Sequence, residues 1–438
     1  MTANMDPVLT GMTAVICLLA LSVLGIPIGV ALGTVALTGL WLVAGPAMAL
    51  ISLKTLPYAL GTSYTLVVVP MFILMGLVVS SAGIVTDLYD AIYRWLSRFR
   101  GSMLMVTTAA SAIFGAVSGS TVVNASVFTR IALPEMVRLG YKPGVAAAAI
   151  GASGTLASLI PPSIAFVIYA IIAGQSIGQL LLAGLLPGIL TTLVYLAGIA
   201  GCVRLFKDWA PVSHVRYGWK EKFAGMHRLW PLIALFAIVV GGIYTGLIPP
   251  STAGGVGAVG AILIFMLQRR IRLPILWDCL KQTIEISAVL FVTIAGGMLF
   301  ARLLTVTGFM PALAELVQQI GFGKTRFLLM VVLLFLFLGM FMDTISILII
   351  AVPLLDPIVE SLGINPILYA VIIVKLLEIA AVSPPVGINL FAVLAATDES
   401  ISTGELYGSI FPFIILDLIT IILLLFPSIA TWLPYRMI

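Results

Sequence analysis

Residues Ser158–Ser163 read SLIPPS, two adjacent prolines inside a long apolar run. A proline in a helix interior removes a backbone donor and clashes with the preceding turn, at a cost of about 3 kcal/mol or more. In a lipid-facing helix the freed carbonyls find no partner, so irregular backbone at membrane depth is tolerated only where it lines protein or a polar cavity. The same break recurs at Val382–Gly387, VSPPVG. Each stretch therefore predicts a helix divided at a binding site.

Composition places the breaks in a bilayer. The chain has 438 residues, 61% hydrophobic and 9% charged, against about 25% charged in soluble domains. Apolar runs of about 20 residues, each long enough to cross a membrane, recur from end to end. The formal charge of +5 is too small to call for a nucleic-acid partner. Cys17, Cys202 and Cys279 are scattered, and His214 and His227 lie in one basic loop. Neither set has metal or disulfide spacing, and no nucleotide-binding or metalloprotease motif is present. The N-terminal stretch lacks a basic n-region and an obvious cleavage site, so it reads as a first spanning helix.

The breaks belong to a longer repeat. Pro134–Pro143, PEMVRLGYKP, and Pro357–Pro366, PIVESLGINP, share one spacing of Pro, Gly and Pro. The same shift carries Pro161 and Pro162 onto Pro384 and Pro385, Pro27 onto Pro250, Ser120 onto Asp343 and Thr121 onto Thr344. Six matched Pro or Gly positions in one register argue for duplication over coincidence. The expected units are residues 1–215 and 230–438, joined by a cytoplasmic amphipathic helix over 216–229.

Within the first unit, spans are expected near 9–30, 32–53, 66–82, 145–173 and 180–203. The segment 103–128 has small and polar residues at its centre and reads as a re-entrant hairpin; its counterpart is 327–352. The broken helices fall at 145–173 and 366–395. Five crossings per unit is an odd number, which inverts the second unit relative to the first. With both termini outside, sixteen of the Lys and Arg residues fall inside and four outside, as the positive-inside rule requires. The expected fold is all-α and polytopic: two inverted repeats of five spans, each with a hairpin and a Pro-Pro-broken helix.

Inverted repeats with broken helices are the pattern of secondary transporters. A half-helix C-terminus offers carbonyls to a cation such as Na⁺, and a half-helix N-terminus offers N–H groups to a carboxylate. The expected first Na⁺ site draws on Ser118 and Ser120 at one hairpin tip and on Ala157, Ile160 and Pro162 at the break. The second draws on Gly339, Asp343 and Thr344 with Ala380, Ser383 and Pro385. The competing reading is that the small residues are helix packing and that Asp343 caps a turn. Candidate substrate contacts are Thr121, Thr155, Ser158, Ser163, Arg302, Lys375 and Asn389.

The stretches Phe114–Ala148, Gly154–Ile164, Gly339–Leu355 and Leu377–Phe391 resemble the large membrane subunit of tripartite ATP-independent periplasmic (TRAP) transporters, over nearly the whole chain. The resemblance implies an elevator-type, Na⁺-coupled importer of organic acids such as C4-dicarboxylates or sugar acids. It implies two partners, a periplasmic substrate-binding protein and a small four-helix membrane subunit, the latter expected as a separate chain. It places the protein in the bacterial inner membrane with both termini periplasmic. One departure is Lys375, where the family commonly has a neutral polar residue.

Other charged residues in apolar sequence have two readings each. Lys375 and Glu378 share a helical face, as a neutralising pair or as a site for a substrate carboxylate. Arg302 snorkels outward or faces the substrate path. Asp356 reads as a turn or cap. Among other functions, a stand-alone Na⁺/dicarboxylate symporter would share the fold. An intramembrane enzyme would need a catalytic constellation that the spans lack, and a channel does not need paired broken helices.

Overall fold

The computed structural model describes residues 6–211, 215–319, 321, 323–339 and 342–437. His214 lies outside them, as do two residues of the second hairpin tip, 340 and 341. Every described element is helical. Seven helices are long and apolar enough to cross a membrane, or eight if the bent pair Trp219–His227 and Trp230–Tyr244 counts as one span. Ten crossings are expected, two of them the broken helices. The seven include the hairpin arm Thr344–Ser361. The breaks divide two of the expected crossings into shorter pieces, Pro143–Gly154 with Ile164–Ala173 and Pro366–Val382 with Ile388–Ala396, and the apolar part of the first helix is Leu9–Ser22.

The hairpins have longer arms than expected. The first pairs Ser102–Ser118 with Thr121–Arg138, and the second pairs Lys324–Gly339 with Thr344–Ser361. The sequence reading ended them at 128 and 352, where Arg130 and Pro353 interrupt the apolar run. The first helix continues because its charges face out of the packed core; Arg130 is exposed and Arg138 pairs with Glu135 at 2.5 Å. The second arms, like Pro143 and Pro366 at the starts of the broken helices, are offset by the same 223 residues as the proline register.

The packing sorts the helices into two groups. The hairpins, the broken helices, Ile177–Leu205 and Thr403–Leu424 pack on one another. They do so crosswise: Thr344–Ser361 lies on Ile164–Ala173, and Ile388–Ala396 lies on Thr121–Arg138. Its centre is buried, with Gly144–Gly154 and Ile367–Val382 enclosed at every residue, while Lys324–Gly339 keeps Leu329, Leu333 and Phe337 exposed. The long helices Ile28–Gly61, Val68–Ser81, Pro250–Leu267 and Leu273–Val306 pack together beside it. They keep large apolar residues such as Trp41, Leu42, Leu263 and Val289 on the outside, the surface a lipid phase requires. The amphipathic helix Trp219–His227 packs on Ile84–Leu96, where Arg94 donates to the Glu221 carbonyl at 3.0 Å and Trp95 meets Trp219 and Phe223 edge-on.

One ionic cluster ties the core together. The fully buried Lys375 ammonium lies 2.6 Å from Glu378 Oε2 and 2.6 Å from Asp417 Oδ1, which pins Pro366–Val382 to Thr403–Leu424. Removing one partner of a buried ion pair leaves an uncompensated charge, at about 3–5 kcal/mol. Lys375→Met is therefore expected to lower thermal stability in detergent sharply. The triple variant Lys375→Met, Glu378→Gln, Asp417→Asn, which leaves no charge, is expected to regain much of the loss. Equal melting temperatures for Lys375→Met and wild type would contradict this.

Candidate functional site

The first hairpin tip is two residues long. Gly119 ends one arm in the left-handed region (φ +61°), its N–H bonded to the Gly115 carbonyl, and extended Ser120 caps the next arm by accepting from Val123 N at 3.4 Å. Glycine has no Cβ penalty there. It is also needed for space, since a Cβ on Gly119 would lie 2.6 Å from the Pro162 carbonyl oxygen. Ile164 N approaches Gly119 O at 3.5 Å, so the tip sits directly on the first break. One turn back, a Cβ on Gly115 would meet Ala157 Cα at 2.9 Å. The second hairpin abuts its own broken helix likewise, Gly339 against Ala380, where an added Cβ would lie 2.7 Å from Cα.

At the first break the helix Pro143–Gly154 tightens into a 3₁₀ turn, Thr155–Ser158, and restarts at Ile164 under the cap of Ser163, which accepts from Phe166 N at 3.2 Å and donates to the Ser158 carbonyl. At the second, Gly387 (φ +54°) precedes Ile388–Ala396, which has no side-chain cap. The peptides Pro161–Pro162 and Pro384–Pro385 are both cis.

A cavity of about 310 Å³ lies where these parts meet, lined by Ser118–Val123, Ser158, Ile164, Ala165, Asp343–Ile345 and Ile388, with Ile73, Leu77, Ile286 and Leu290 from the long helices. Four helix N-termini thus border one space: those starting at Thr121, Ile164, Thr344 and Ile388. Each carries about +0.5 elementary charge and free N–H groups. A cavity of about 470 Å³ beside it shares Asp343, Ile345 and Leu290 and is walled by Pro27–Val30. Among the described residues Asp343 is the one charged side chain lining either cavity, so the N-terminal dipoles share the space with a carboxylate.

The hydroxyls and carboxylate divide their roles. Ser118 lines the cavity, is 1% exposed, and its Oγ has no hydrogen-bond partner. Asp343 caps Thr344–Ser361, accepting from Ile345 N and Ser346 N at 3.1 Å each and from the Ser346 hydroxyl. The capping role is thus present in the geometry, and Asp343 still borders both cavities. No group of three or more His, Cys, Asp or Glu that could hold a metal occurs among the described residues. Of the residues expected to hold Na⁺, Ser118, Ser120, Asp343 and Thr344 line the cavity, whereas Ala157, Pro162, Gly339, Ala380, Ser383 and Pro385 line neither cavity and Ile160 lines a separate apolar one.

Several expected site residues lie elsewhere. Arg302 is exposed on Leu273–Val306 and borders neither cavity; its helix packs by the opposite, glycine-containing face. Lys375 is enclosed by Glu378 and Asp417 and is unavailable to a substrate. Thr155 donates to Ala152 O at 2.7 Å, and Asn389 Nδ2 donates to Gly151 O at 3.3 Å, both fully buried in the core. Asp356 is no turn residue: it lies within Thr344–Ser361 and accepts from the Tyr169 hydroxyl at 3.3 Å. The two breaks are not equivalent, since the Ala380 carbonyl accepts from Ser383 N at 3.3 Å and the Pro385 carbonyl accepts from the Tyr407 hydroxyl. Asp417 is not among the residues the sequence singles out, although a carboxylate inside the apolar run Leu406–Phe426 is itself a signal.

A family model described as tripartite ATP-independent periplasmic transporter, DctM component, matches residues 15–429. The chain is 33% identical to the C4-dicarboxylate TRAP transporter large permease protein DctM of Pseudomonas aeruginosa, over 85% of this chain and 86% of that one. It is 29% identical to the ectoine TRAP transporter large permease protein TeaC of Halomonas elongata, over 95% and 97%, and 29% identical to the sialic acid TRAP transporter permease protein SiaT of Haemophilus influenzae, over 86% and 61%. Among solved structures it resembles the YdaH transporter of Alcanivorax borkumensis (TM-score 0.59, 13% identity, 89% of both chains). It also resembles MtrF of Neisseria gonorrhoeae (TM-score 0.57, 13% identity, 99% and 96% covered). At that identity the likeness is one of fold.

The tip-to-break approach is open to test. Gly119→Ala adds left-handed strain of about 1–2 kcal/mol and a methyl against the Pro162 carbonyl, so its melting temperature is expected to fall. Gly33→Ala, in a helix with open space around it, is expected to hold or raise it. Equal behaviour of the two variants would contradict the close approach.

Proposed function

The chain belongs to the family of DctM components of tripartite ATP-independent periplasmic transporters, and on that premise we propose that it is the membrane subunit of a Na⁺-coupled, binding-protein-dependent importer of organic acids. The observation that carries the reading is the convergence of four helix N-termini on the cavity bordered by both hairpin tips. Such termini attract carboxylates, and the cavity volume falls near the small end of about 300–1,000 Å³ for ligand sites. The relatives named for C4-dicarboxylate, ectoine and sialic acid all handle carboxylate-bearing molecules, which agrees with selection by helix termini rather than by a fitted basic side chain.

In this reading Na⁺ binds at each tip and break. Ser118, Ser120, Ala157, Ile160 and Pro162 form one donor set, and Gly339, Asp343, Thr344, Ala380, Ser383 and Pro385 form the other. The cation offsets the substrate carboxylate, and Thr121 and Ser158 reach the substrate from the cavity wall. The core of hairpins and broken helices moves as one body against the long helices, which is an elevator step between two inverted repeats. The partners are a periplasmic substrate-binding protein and a small four-helix membrane subunit. The complex sits in the bacterial inner membrane, with both termini of this chain periplasmic.

Asp343→Asn isolates the charge, because Asn caps a helix about as well as Asp. With partner subunits in proteoliposomes, the Na⁺ concentration for half-maximal uptake is expected to rise about tenfold, the equivalent of about 1.4 kcal/mol. Ser120→Ala is expected to raise it less and to lose about 0.5–2 kcal/mol of cap stability. Unchanged Na⁺ dependence in both would reduce the tips to packing elements. For orientation, Gly218→Cys is expected to react with an impermeant thiol reagent only from the cytoplasmic side, and reaction from the outside would overturn the topology.

A further inference from the structure

Another cavity lies where the connecting segment enters the membrane. Trp219–His227 and Trp230–Tyr244 are bent by 54° at a short break, so a surface helix turns there into a spanning one. Trp230–Phe236 and Ile177–Leu205 each pack on the hairpin arm Ser102–Ser118, and an apolar groove of about 490 Å³ runs between the three. Among the described lining residues only Thr192 has a polar side chain, and its hydroxyl donates to the Gly188 carbonyl at 2.8 Å. Space is left because the arm presents Ala109, Ala112 and Ala116 along one face. The lining runs of helix, at 1.5 Å per residue, make the groove about 10–12 Å long. Its deep end is Ile160 at the first break and Phe236, which packs on Ala112, Ala116, Leu156 and Ile160. Its other end is Leu88 and Met226, at the bend.

The end at the bend is cationic and aromatic. Trp219–His227 packs closely on Ile84–Leu96, so that a Cβ on Gly225 would lie 3.3 Å from Ala91 Cα. Lys222 is one turn from Met226, and Trp95 is two turns from Leu88, so the two faces that open the groove continue to these residues. The Lys222 ammonium lies 5.1 Å from the Trp219 ring and 5.5 Å from the Trp95 ring, and it forms no ion pair among the described residues. Residues 84–100 and 216–230 hold seven Lys and Arg against three Asp and Glu. Two of those acids are engaged: Asp87 pairs with Arg270 at 2.7 Å and lies 3.9 Å from Arg228, and Glu221 accepts from Gly218 N at 2.8 Å. Trp rings of this kind sit at headgroup level in a bilayer.

We infer that the groove is a binding site for an anionic phospholipid, with one acyl chain along the alanine face and the phosphate at Lys222 and Arg228. A peptide segment would bring N–H and C=O groups that these walls cannot satisfy; a hydrocarbon chain brings none. A zwitterionic lipid would fill the groove equally but gain little from the excess positive charge. The acyl chain ends against Ile160, so the lipid lies between the first break and the helix that leaves the connecting segment. Which leaflet supplies it follows from the orientation proposed above, whereas binding itself does not depend on that orientation.

The test uses the full-length chain, stripped of lipid in detergent and titrated with phosphatidylglycerol or with phosphatidylcholine of the same acyl chains, read by native mass spectrometry. One phosphatidylglycerol per chain is expected to bind about tenfold more tightly than phosphatidylcholine. Lys222→Gln combined with Arg228→Gln is expected to bring the two lipids level, and Ala109→Leu, which fills the groove, to weaken both. Phosphatidylglycerol with a photoreactive group at the end of one acyl chain is expected to label residues 109–117 and 229–236 in wild type, a readout that needs no variant to fold. Equal binding of the two lipids by wild type, or a preference kept by the double variant, would overturn the proposal. So would labelling no greater in the groove than at Trp41 and Val289 on the outer surface, which would make the lipid an unselective solvent.

Discussion

Backbone polarity at membrane depth is the constraint on which this structure depends. A helix crossing lipid satisfies its own N–H and C=O groups. Each Pro-Pro break and each hairpin tip gives that up, leaving N–H groups at one side and carbonyls at the other. Those groups must be enclosed by protein or used. Here both happen: the first broken helix and Pro366–Val382 are buried along nearly their whole length, and four N-termini open onto one cavity. Each hairpin packs on its own broken helix and, through its second arm, on the other one, and the four termini meet at one space.

The same constraint sets the residue types around the site. Tips must approach the breaks closely, which requires Gly119 with its positive φ and the small residues Gly115, Ala157, Gly339 and Ala380. Caps must be short and polar, which gives Ser120, Ser163 and Asp343. The ionic cluster of Lys375, Glu378 and Asp417 lies one residue behind the surface, linked to it by Ser158. Apart from Asp343, the cavity wall presents backbone dipoles and hydroxyls, and the ionic cluster lies in the layer behind it.

Much of this was legible in the sequence. The double prolines and the constant register located both breaks and both tips, because proline acts on the backbone directly and needs no tertiary context. The family resemblance rested on the same stretches. Helix ends were less legible: Arg130 and Pro353 looked like exits from the membrane, yet each helix continues because the residue faces out or the kink is absorbed by packing. Side-chain roles were least legible. Arg302 and Lys375 look equally eligible for a carboxylate substrate, and only three-dimensional placement sends one outward and encloses the other between Glu378 and Asp417. The inequivalence of the breaks depends on Tyr407 meeting Pro385, a contact no repeat could forecast.

The central claim is that both hairpin tips and the first break build one site for a cation and an anion. The most direct measurement is a pair of cryo-electron microscopy maps of the chain with its partner subunits, prepared in sodium and in choline. The account predicts density within oxygen-coordination distance of Ser118 Oγ in sodium that is absent in choline, with both tips still bordering one cavity. Identical maps, with Ser118 Oγ bonded to a protein group and the tips separated, would contradict it.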